Sequence, residues 1–412
     1  MDKCIAVIDL KSFYASCECG VRHLDIFKTP LVCCDPYRSA SSVVMSATPY
    51  LKKRYGVHNV CRRRDLPLVP GMIYAVPRMS FYLQMSAKVN SIFLDYVAED
   101  DLHVYSVDES FLNLGPYLNL YHREPEAIVS RIQADIKEKL GLVATAGIGP
   151  NIFLAKIALD QEGKKMEPYL AHWDYGDVPA KLWSIRPITE VWGIAKGTAR
   201  HLARIGIHSL KELAEADVSL LGKEFGVMGY QLHEMANGRD ESDIEAKYVP
   251  KERGLSNGQT LSRDYTKREA LLILREMNDD LALRLRKSGS LAQKVSLSIG
   301  YGVGDGYCRQ TTLPIAAEET DALFAGIEEL YESAPELPIR ELGISYGRLR
   351  EKSVEQLSLF EEAPISAKKN HLDAALDAIK SVYGANSVLR CSSLLSASTA
   401  KKRHEQIGGH RR

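Results

Sequence analysis

Apolar and polar positions along this chain follow two rhythms, one of strands and one of helices, and their succession divides it into blocks. The run Ile5-Ala6-Val7-Ile8 is short and apolar and stops at Asp9, which predicts a buried strand with an acid at its end. Leu10, Phe13, Cys17 and Val21 then recur at helical spacing. Leu31-Val32-Cys33-Cys34 and Val43-Val44-Met45 predict strands, and residues 48–55 a short helix stopped by Gly56. Phe81, Met85, Val89, Ile92 and Tyr96 form one amphipathic stripe; Ile128, Ile132, Ile136 and Leu140 form another. Between them, Tyr105-Ser106-Val107-Asp108-Glu109-Ser110-Phe111-Leu112 predicts a strand, and residues 142–148 predict one more, entering a helix through Gly149-Pro150-Asn151. Helices covering a sheet with acids at its strand ends make an α+β, palm-like block.

Residues 168–238 read as mostly helical. Within them Val191-Trp192-Gly193-Ile194-Ala195-Lys196-Gly197-Thr198, followed by Leu202 and Ile205-Gly206-Ile207, has the pattern of a helix-hairpin-helix, whose glycine turn aims backbone N–H groups at a phosphate. A polar stretch at 239–253 reads as a linker. Beyond it a strand near 255–261 precedes a helix carrying Leu271, Leu274, Met277, Leu281 and Leu285. Val295, Leu297, Ile299 and Tyr301 then alternate with polar residues as a half-buried strand does. A glycine-rich turn, another strand, a helix with Leu323, Ile327 and Leu330, and a strand with Leu342, Ile344 and Tyr346 complete a β-α-β-β-α-β order. Residues 351–412 read as a tail with one helix around 372–382 and a basic, solvated end.

Composition changes this picture little. The length calls for several modules, no apolar run is long enough to span a membrane, and the first residues carry no signal-peptide pattern, so a cytoplasmic protein is expected. Eight cysteines without a C-x-x-C pair argue against zinc and for a reducing compartment. Formal net charge is zero, which speaks against a nucleic-acid partner, but basic residues outnumber acidic ones in residues 251–309 and 366–412.

The candidate chemistry lies in Asp9, Asp108 and Glu109. Singly, each reads as a turn or cap residue. Together, on neighbouring strands, three carboxylates repel unless a divalent cation neutralises them, and two Mg²⁺ ions held this way are the apparatus of in-line phosphoryl transfer.

Asp9-Leu10-Lys11-Ser12-Phe13-Tyr14-Ala15-Ser16 and Ser106-Val107-Asp108-Glu109-Ser110 resemble the two metal-binding segments of the Y-family, lesion-bypass DNA polymerases. The likeness runs in order over residues 1–350 and is closest to the UmuC-type catalytic subunit of DNA polymerase V and its single-chain, UvrX-like Gram-positive relatives. It implies a multidomain right hand: a ferredoxin-like palm (1–22 and 76–166), small fingers (23–75), a helical thumb with the helix-hairpin-helix (167–238), a linker (239–253), a β-α-β-β-α-β little finger (254–350) and a tail (351–412). By the same resemblance Asp9, Asp108 and Glu109, with the Leu10 carbonyl, hold two Mg²⁺; Tyr14 is the steric gate against the 2′-hydroxyl; and Tyr50, Lys53 and Lys164 contact the triphosphate of the dNTP. Lys53 stands where many relatives have arginine and lacks its bidentate fork. Lys165 leaves the register of the palm lysine open by one.

By the resemblance, Val44 and Ser46 fall where the family's fingers cover the nascent base pair, and their small side chains would leave room for a distorted template base; low fidelity and tolerance of damaged templates are what the family likeness implies. Arg284, Arg286, Lys287 and Lys294 would grip duplex phosphates without reading sequence. Gln356-Leu357-Ser358-Leu359-Phe360 resembles the peptide with which bacterial polymerases bind the sliding clamp, an exposed anchor that would raise local DNA concentration. The expected partners are primer-template DNA and the sliding clamp, with accessory SOS proteins or a recombinase filament left open. Two rivals remain at this point: another palm-type two-metal enzyme such as a nucleotide cyclase, and a non-catalytic DNA-repair protein of the same fold.

Overall fold

A computed structural model describes residues 3–37, 40–58, 60–246, 249–250, 252–352 and 363–411, with side chains from 371 onward in the last stretch. The chain forms two compact units, Met1–Lys247 and Tyr248–Arg412.

In the first unit β1 (Ile5–Leu10) leads into α1 (Phe13–Gly20). A small sheet then forms from β2 (Leu31–Cys33), β3 (Ser46–Ala47) and, beyond α2 (Pro49–Tyr55), β4 (Ile73–Ala75), in the order β3-β2-β4. Val43 makes a single bridge to Arg62, so the strand expected at 43–45 starts only at Ser46. Next come α3 (Met79–Phe93), β5 (Leu102–Val104), β6 (Glu109–Asn113), α4 (Gly115–Tyr121), α5 (Pro125–Leu140) and β7 (Ala144–Gly149). Helix α6 (Ile152–Ala158) continues through a π turn, Leu159–Gly163, to β8 (Leu170–His172).

The main sheet has the order β5-β6-β1-β7-β8, with β1 antiparallel to both neighbours. Strand β8 falls in the segment expected to be helical: its backbone pairs in parallel with β7 before the helices begin. The expected strand at 105–112 also starts late. The amides of Tyr105 and Ser106 both donate to the Glu109 carbonyl, at 3.1 and 3.0 Å, closing a turn that leaves Asp108 just outside β6. The Ser106 hydroxyl donates to the Asp108 carboxylate at 2.9 Å and fixes it there.

Helices α7 (Lys196–Arg204), α8 (Leu210–Ala214), α9 (Val218–Phe225) and α10 (Val227–Ala236) surround a core that includes Leu182, Ile188, Leu202, Leu213 and Leu232. Gly193 (φ 91°) and Gly206 (φ 84°) bracket α7 in left-handed turns, as the hairpin pattern requires.

The second unit runs β9 (Leu255–Tyr265), α11 (Lys267–Lys287), β10 (Ser290–Tyr301), β11 (Tyr307–Ala317), α12 (Thr320–Glu332) and β12 (Ile339–Gly347), in the sheet order β11-β10-β12-β9. Val295, Leu297 and Ile299 of β10 pack against Ile273, Leu274 and Met277 of α11 and Phe324 of α12. The alternating partners Lys294, Ser296 and Ser298 therefore lie on the opposite sheet face. β13 (Arg350–Glu351) pairs with the start of β10, and α13 (Ala363–Tyr383) and α14 (Ala400–His404) follow.

The end of the chain is not a solvated tail. Arg286 forks onto Asp377 at 2.7 and 3.0 Å and reaches Asp373. Arg390 forks onto Asp279 at 2.7 and 2.8 Å, and Arg403 and His404 both reach Asp280. Acids spaced along α11 draw in the bases of the C-terminal segment, pairs more than a hundred residues apart that no local periodicity announces. Arg286 is thereby withdrawn from the set expected to grip DNA. The clamp-like peptide at 356–360 lies outside the described residues.

Candidate active site

The acids converge because of strand register. Asp9 of β1 pairs directly with Glu109 of β6, so the two side chains project from one face of the sheet, the face that also carries Ile5, Val7 and Phe111. Helix α6 and the π turn that continues it pack on that face through Ile152, Ala155 and Leu159. It approaches very closely because β7 presents glycine there: a Cβ on Gly147 would overlap the Ala155 carbonyl and the Leu159 amide, and one on Gly149 would lie 2.7 Å from the Ala155 amide. Asp108 joins from the turn, its carbonyl accepting the Leu10 N–H at 2.9 Å.

The α6 side of the site is cationic. Lys156 Nζ lies 2.7 Å from Glu109 Oε1, with side chains only 7 % and 9 % exposed. The approach is an ion pair without hydrogen-bond geometry, and buried Glu109 Oε1 accepts no hydrogen bond. Lys164 Nζ stands 3.1 Å from Asp9 Oδ2. Between the two lysines, Asp160 contacts Lys156 at 3.3 Å and Lys164 at 3.0 Å. Burial, with repulsion from Asp108 and Glu109, pushes the Asp9 carboxyl up to about 6 against the pull of Lys164. Lys164 is raised above the ordinary lysine value: burial opposes its charge, but Asp9 and Asp160 outweigh it. Lys165, the other candidate in register, is exposed. Among the described residues no three acidic, histidine or cysteine side chains are already closed into a metal cage.

Tyr14 is half-buried on α1, its ring 4.8 Å from that of Tyr82 and 5.5 Å from that of Phe13. Tyr82 in turn donates its hydroxyl to buried Glu18 at 2.8 Å, and Arg78 forks onto the same carboxylate at 2.9 Å through both nitrogens. Burial works against the Glu18 charge, but the hydrogen bonds from Arg78, Arg22 and Tyr82 hold it below the usual carboxylate range.

In α2, Tyr50 is partly buried against Leu51 and Val57, and Lys53 is exposed. Its neighbour Lys52 is the residue that senses the acids: burial lowers its ammonium below the ordinary value while Asp9 and Asp108 pull it back. Lys156 and Asp160 stand against the acids or their lysines although spacing did not single them out as site candidates, and Lys52 feels the charge of the acids. Lys156 sits in the apolar run Ile152-Phe153-Leu154-Ala155-Lys156-Ile157-Ala158, and a lysine inside such a run is itself the signal.

On the second unit, the sheet face opposite the helices carries a groove lined by Ser256, Lys294, Ser296, Arg309, Gln310 and Ser345. Small hydroxyl side chains between two cations leave backbone and charge open to a polyanion.

Residues 8–160 match the impB/mucB/samB family and residues 252–359 match its C-terminal domain. The chain belongs to the impB/mucB/samB family. Among the relatives of this family member, the putative UV-damage repair protein UvrX of Bacillus subtilis is 34% identical over 99% of this chain and 98% of its own length. DNA polymerase IV 2 of Bacillus subtilis is 30% identical over 99% of both chains. Among solved structures, a Y-family DNA polymerase chimera aligns with a TM-score of 0.68 at 20% identity, covering 84% of this chain and 99% of that one. The impB/mucB/samB chain thus has the Y-family polymerase fold, an α+β architecture, as the motifs led one to expect.

Proposed function

We infer that this chain is a DNA-directed DNA polymerase that extends primers across damaged template bases with low fidelity. The observation that carries the reading is the pairing of Asp9 with Glu109 across β1 and β6, with Asp108 adjacent, inside a chain matched end to end by relatives named for UV-damage repair and DNA polymerase IV. Neither a cyclase nor a non-catalytic scaffold is favoured by such relatives.

The residues fit a hard divalent cation: they offer carboxylate oxygens, one of them a buried acceptor with no hydrogen bond. Asp9, Asp108 and Glu109, with the Leu10 carbonyl, would hold two Mg²⁺. Bound there, the ions would acidify the primer 3′-hydroxyl and neutralise the departing pyrophosphate. The chain's own residues do the rest. Lys164, Lys53 and Tyr50, joined by Lys52, bind and orient the triphosphate of the dNTP. Tyr14, packed against Tyr82 and Phe13, would stack its ring beneath the incoming sugar and exclude a 2′-hydroxyl.

The palm, fingers, thumb, linker and little finger are assigned to 1–22 with 76–166, 23–75, 167–238, 239–253 and 254–350. The groove with Lys294 and Arg309 holds primer-template duplex through its phosphates. Gln356-Leu357-Ser358-Leu359-Phe360 binds the sliding clamp, and SOS accessory proteins or a recombinase filament remain candidate further partners. No helix among the described residues is long and apolar enough to cross a membrane, and the cytoplasm is the proposed compartment.

Primer extension with Mg²⁺ on undamaged and abasic templates, with and without clamp, tests the reading. Extension by the native chain and its loss in Asp108→Ala and Glu109→Ala are expected; binding without extension under every condition would overturn it. Tyr14→Ala should admit ribonucleotides, and unchanged sugar discrimination would remove it from the gate.

A further inference from the structure

The cation side of the acid cluster has a feature that triphosphate binding leaves unused. Lys156 is on the buried face of α6, with almost no exposed surface, and its ammonium touches Glu109 and Asp160. Lys164 touches Asp9 and the same Asp160. Each proposed metal-binding carboxylate except Asp108 thus has a lysine against it, and one further carboxylate bridges the two lysines. An ammonium this deeply buried cannot be left unpaired without a large desolvation cost. Asp160 removes that obstacle, because both lysines already contact it and keep a counter-charge when they release their other partners.

We propose that Lys156 and Lys164 are resident counter-cations of the acid cluster, exchanged onto Asp160 when divalent metal enters. The inference rests on the polymerase reading and adds to it a positioning residue, Lys156, and an acceptor, Asp160. In the metal-free chain the lysines screen the repulsion between Asp9 and Glu109 and hold the carboxylates near their working positions. When metal arrives, the carboxylate oxygens would turn to the ion while Asp160 holds both ammonium groups, and Lys164 would leave Asp160 only when the triphosphate offers it a new counter-charge. Metal entry then competes with a built-in cation, so a site charged for a divalent ion does not close irreversibly around one before nucleotide is present.

The test titrates Mn²⁺ into the full-length protein without DNA or nucleotide and follows binding by electron paramagnetic resonance. Removing the competing cation in Lys156→Met should tighten Mn²⁺ binding about tenfold, and removing the acceptor in Asp160→Asn should weaken it by about the same factor. Lys156→Arg, which keeps the charge, should return to native affinity, and Lys165→Met, an exposed neighbour, should match the native chain. In single-turnover extension Lys156→Met should lose kcat with little change in KM for dNTP, because Glu109 loses its support. An Mn²⁺ affinity in Lys156→Met equal to or weaker than native, in a variant with an unchanged thermal melt, would reduce Lys156 to packing. Should that variant fail to fold, Asp160→Asn decides alone, and unchanged or tighter binding there overturns the exchange. Absence of Mn²⁺ binding by the native chain would overturn the exchange, whereas absence of primer extension by that same chain would sink the polymerase reading itself.

Discussion

Two groups of carboxylates lie under cations in this protein, one on the sheet face of the first unit and one along α11 of the second. On α11, Glu276 accepts the Ser398 hydroxyl and the backbone N–H groups of Thr399 and Ala400, while Asp279 and Asp280 receive arginine forks. Every lone pair of importance has a directional donor. On the sheet face, Asp9 and Glu109 have only lysines, point charges without fixed geometry, and Glu109 Oε1 accepts no hydrogen bond at all. The electrostatic result is opposite in sign. Burial drives Asp9 up to about 6, whereas Asp280, although burial also opposes its charge, is held below the usual range by His404 and Arg403. The difference separates acids fastened by directional donors from acids that, on the proposed reading, are kept available for a ligand.

The contrast is broken most sharply by neutralising one acid from each group. Asp9→Asn or Glu109→Gln should cut primer extension about a thousandfold, near 4 kcal/mol of barrier, while the metal-free protein melts no lower than native by differential scanning calorimetry. Glu276→Ala should do the reverse. It leaves three donors unpaired and should cost about 3 kcal/mol in urea unfolding, with the C-terminal segment becoming protease-sensitive.

Acidity offers a gentler probe. Because its folded value is raised, Asp9 binds its proton more tightly in the folded chain, so its contribution falls as pH rises from about 4 to about 6. Asp280 is depressed, so its contribution is present above its unfolded value and is lost as pH falls through the folded one. Melting curves in chelator should show the first for native but not Asp9→Asn protein. Hydrogen exchange of α14 should show the second, with protection lost only in strong acid. The smallest effect separates two cations of the second unit. Lys294→Ala should weaken duplex binding and lower its salt slope by about one, while Arg286→Ala should leave that slope unchanged.

Much of this architecture is legible in the sequence because it is local. Ile5 to Ile8, the stripes of α3 and α5, and the alternation of β10 each announce their element by period, and the acids announce themselves by standing at strand ends. What escaped depends on distance or on rotation within an element. The α3 stripe is buried through Tyr82, Val89 and Phe93, while Phe81 and Met85 are only half-buried, a turn of the helix that a count of apolar positions does not fix. The late start of β6 is decided by a backbone turn, in which the Tyr105 and Ser106 amides share the Glu109 carbonyl, and the burial of Lys52 rather than Lys53 by the rotation of α2. The docking of the C-terminal segment is written in charges on α11 that look, in sequence, like any solvated helix face.

Gly147 gives the site a hidden mechanical dependence. The helix bearing Lys156 and Asp160 rests on bare backbone, with no side chain as a spacer. A single methyl group placed there would act as a wedge, lifting the ammonium platform from the carboxylates while leaving every charged residue in the chain intact. The spacing on which the electrostatics depend is thus set by an atom that is absent, at a position bearing no charge.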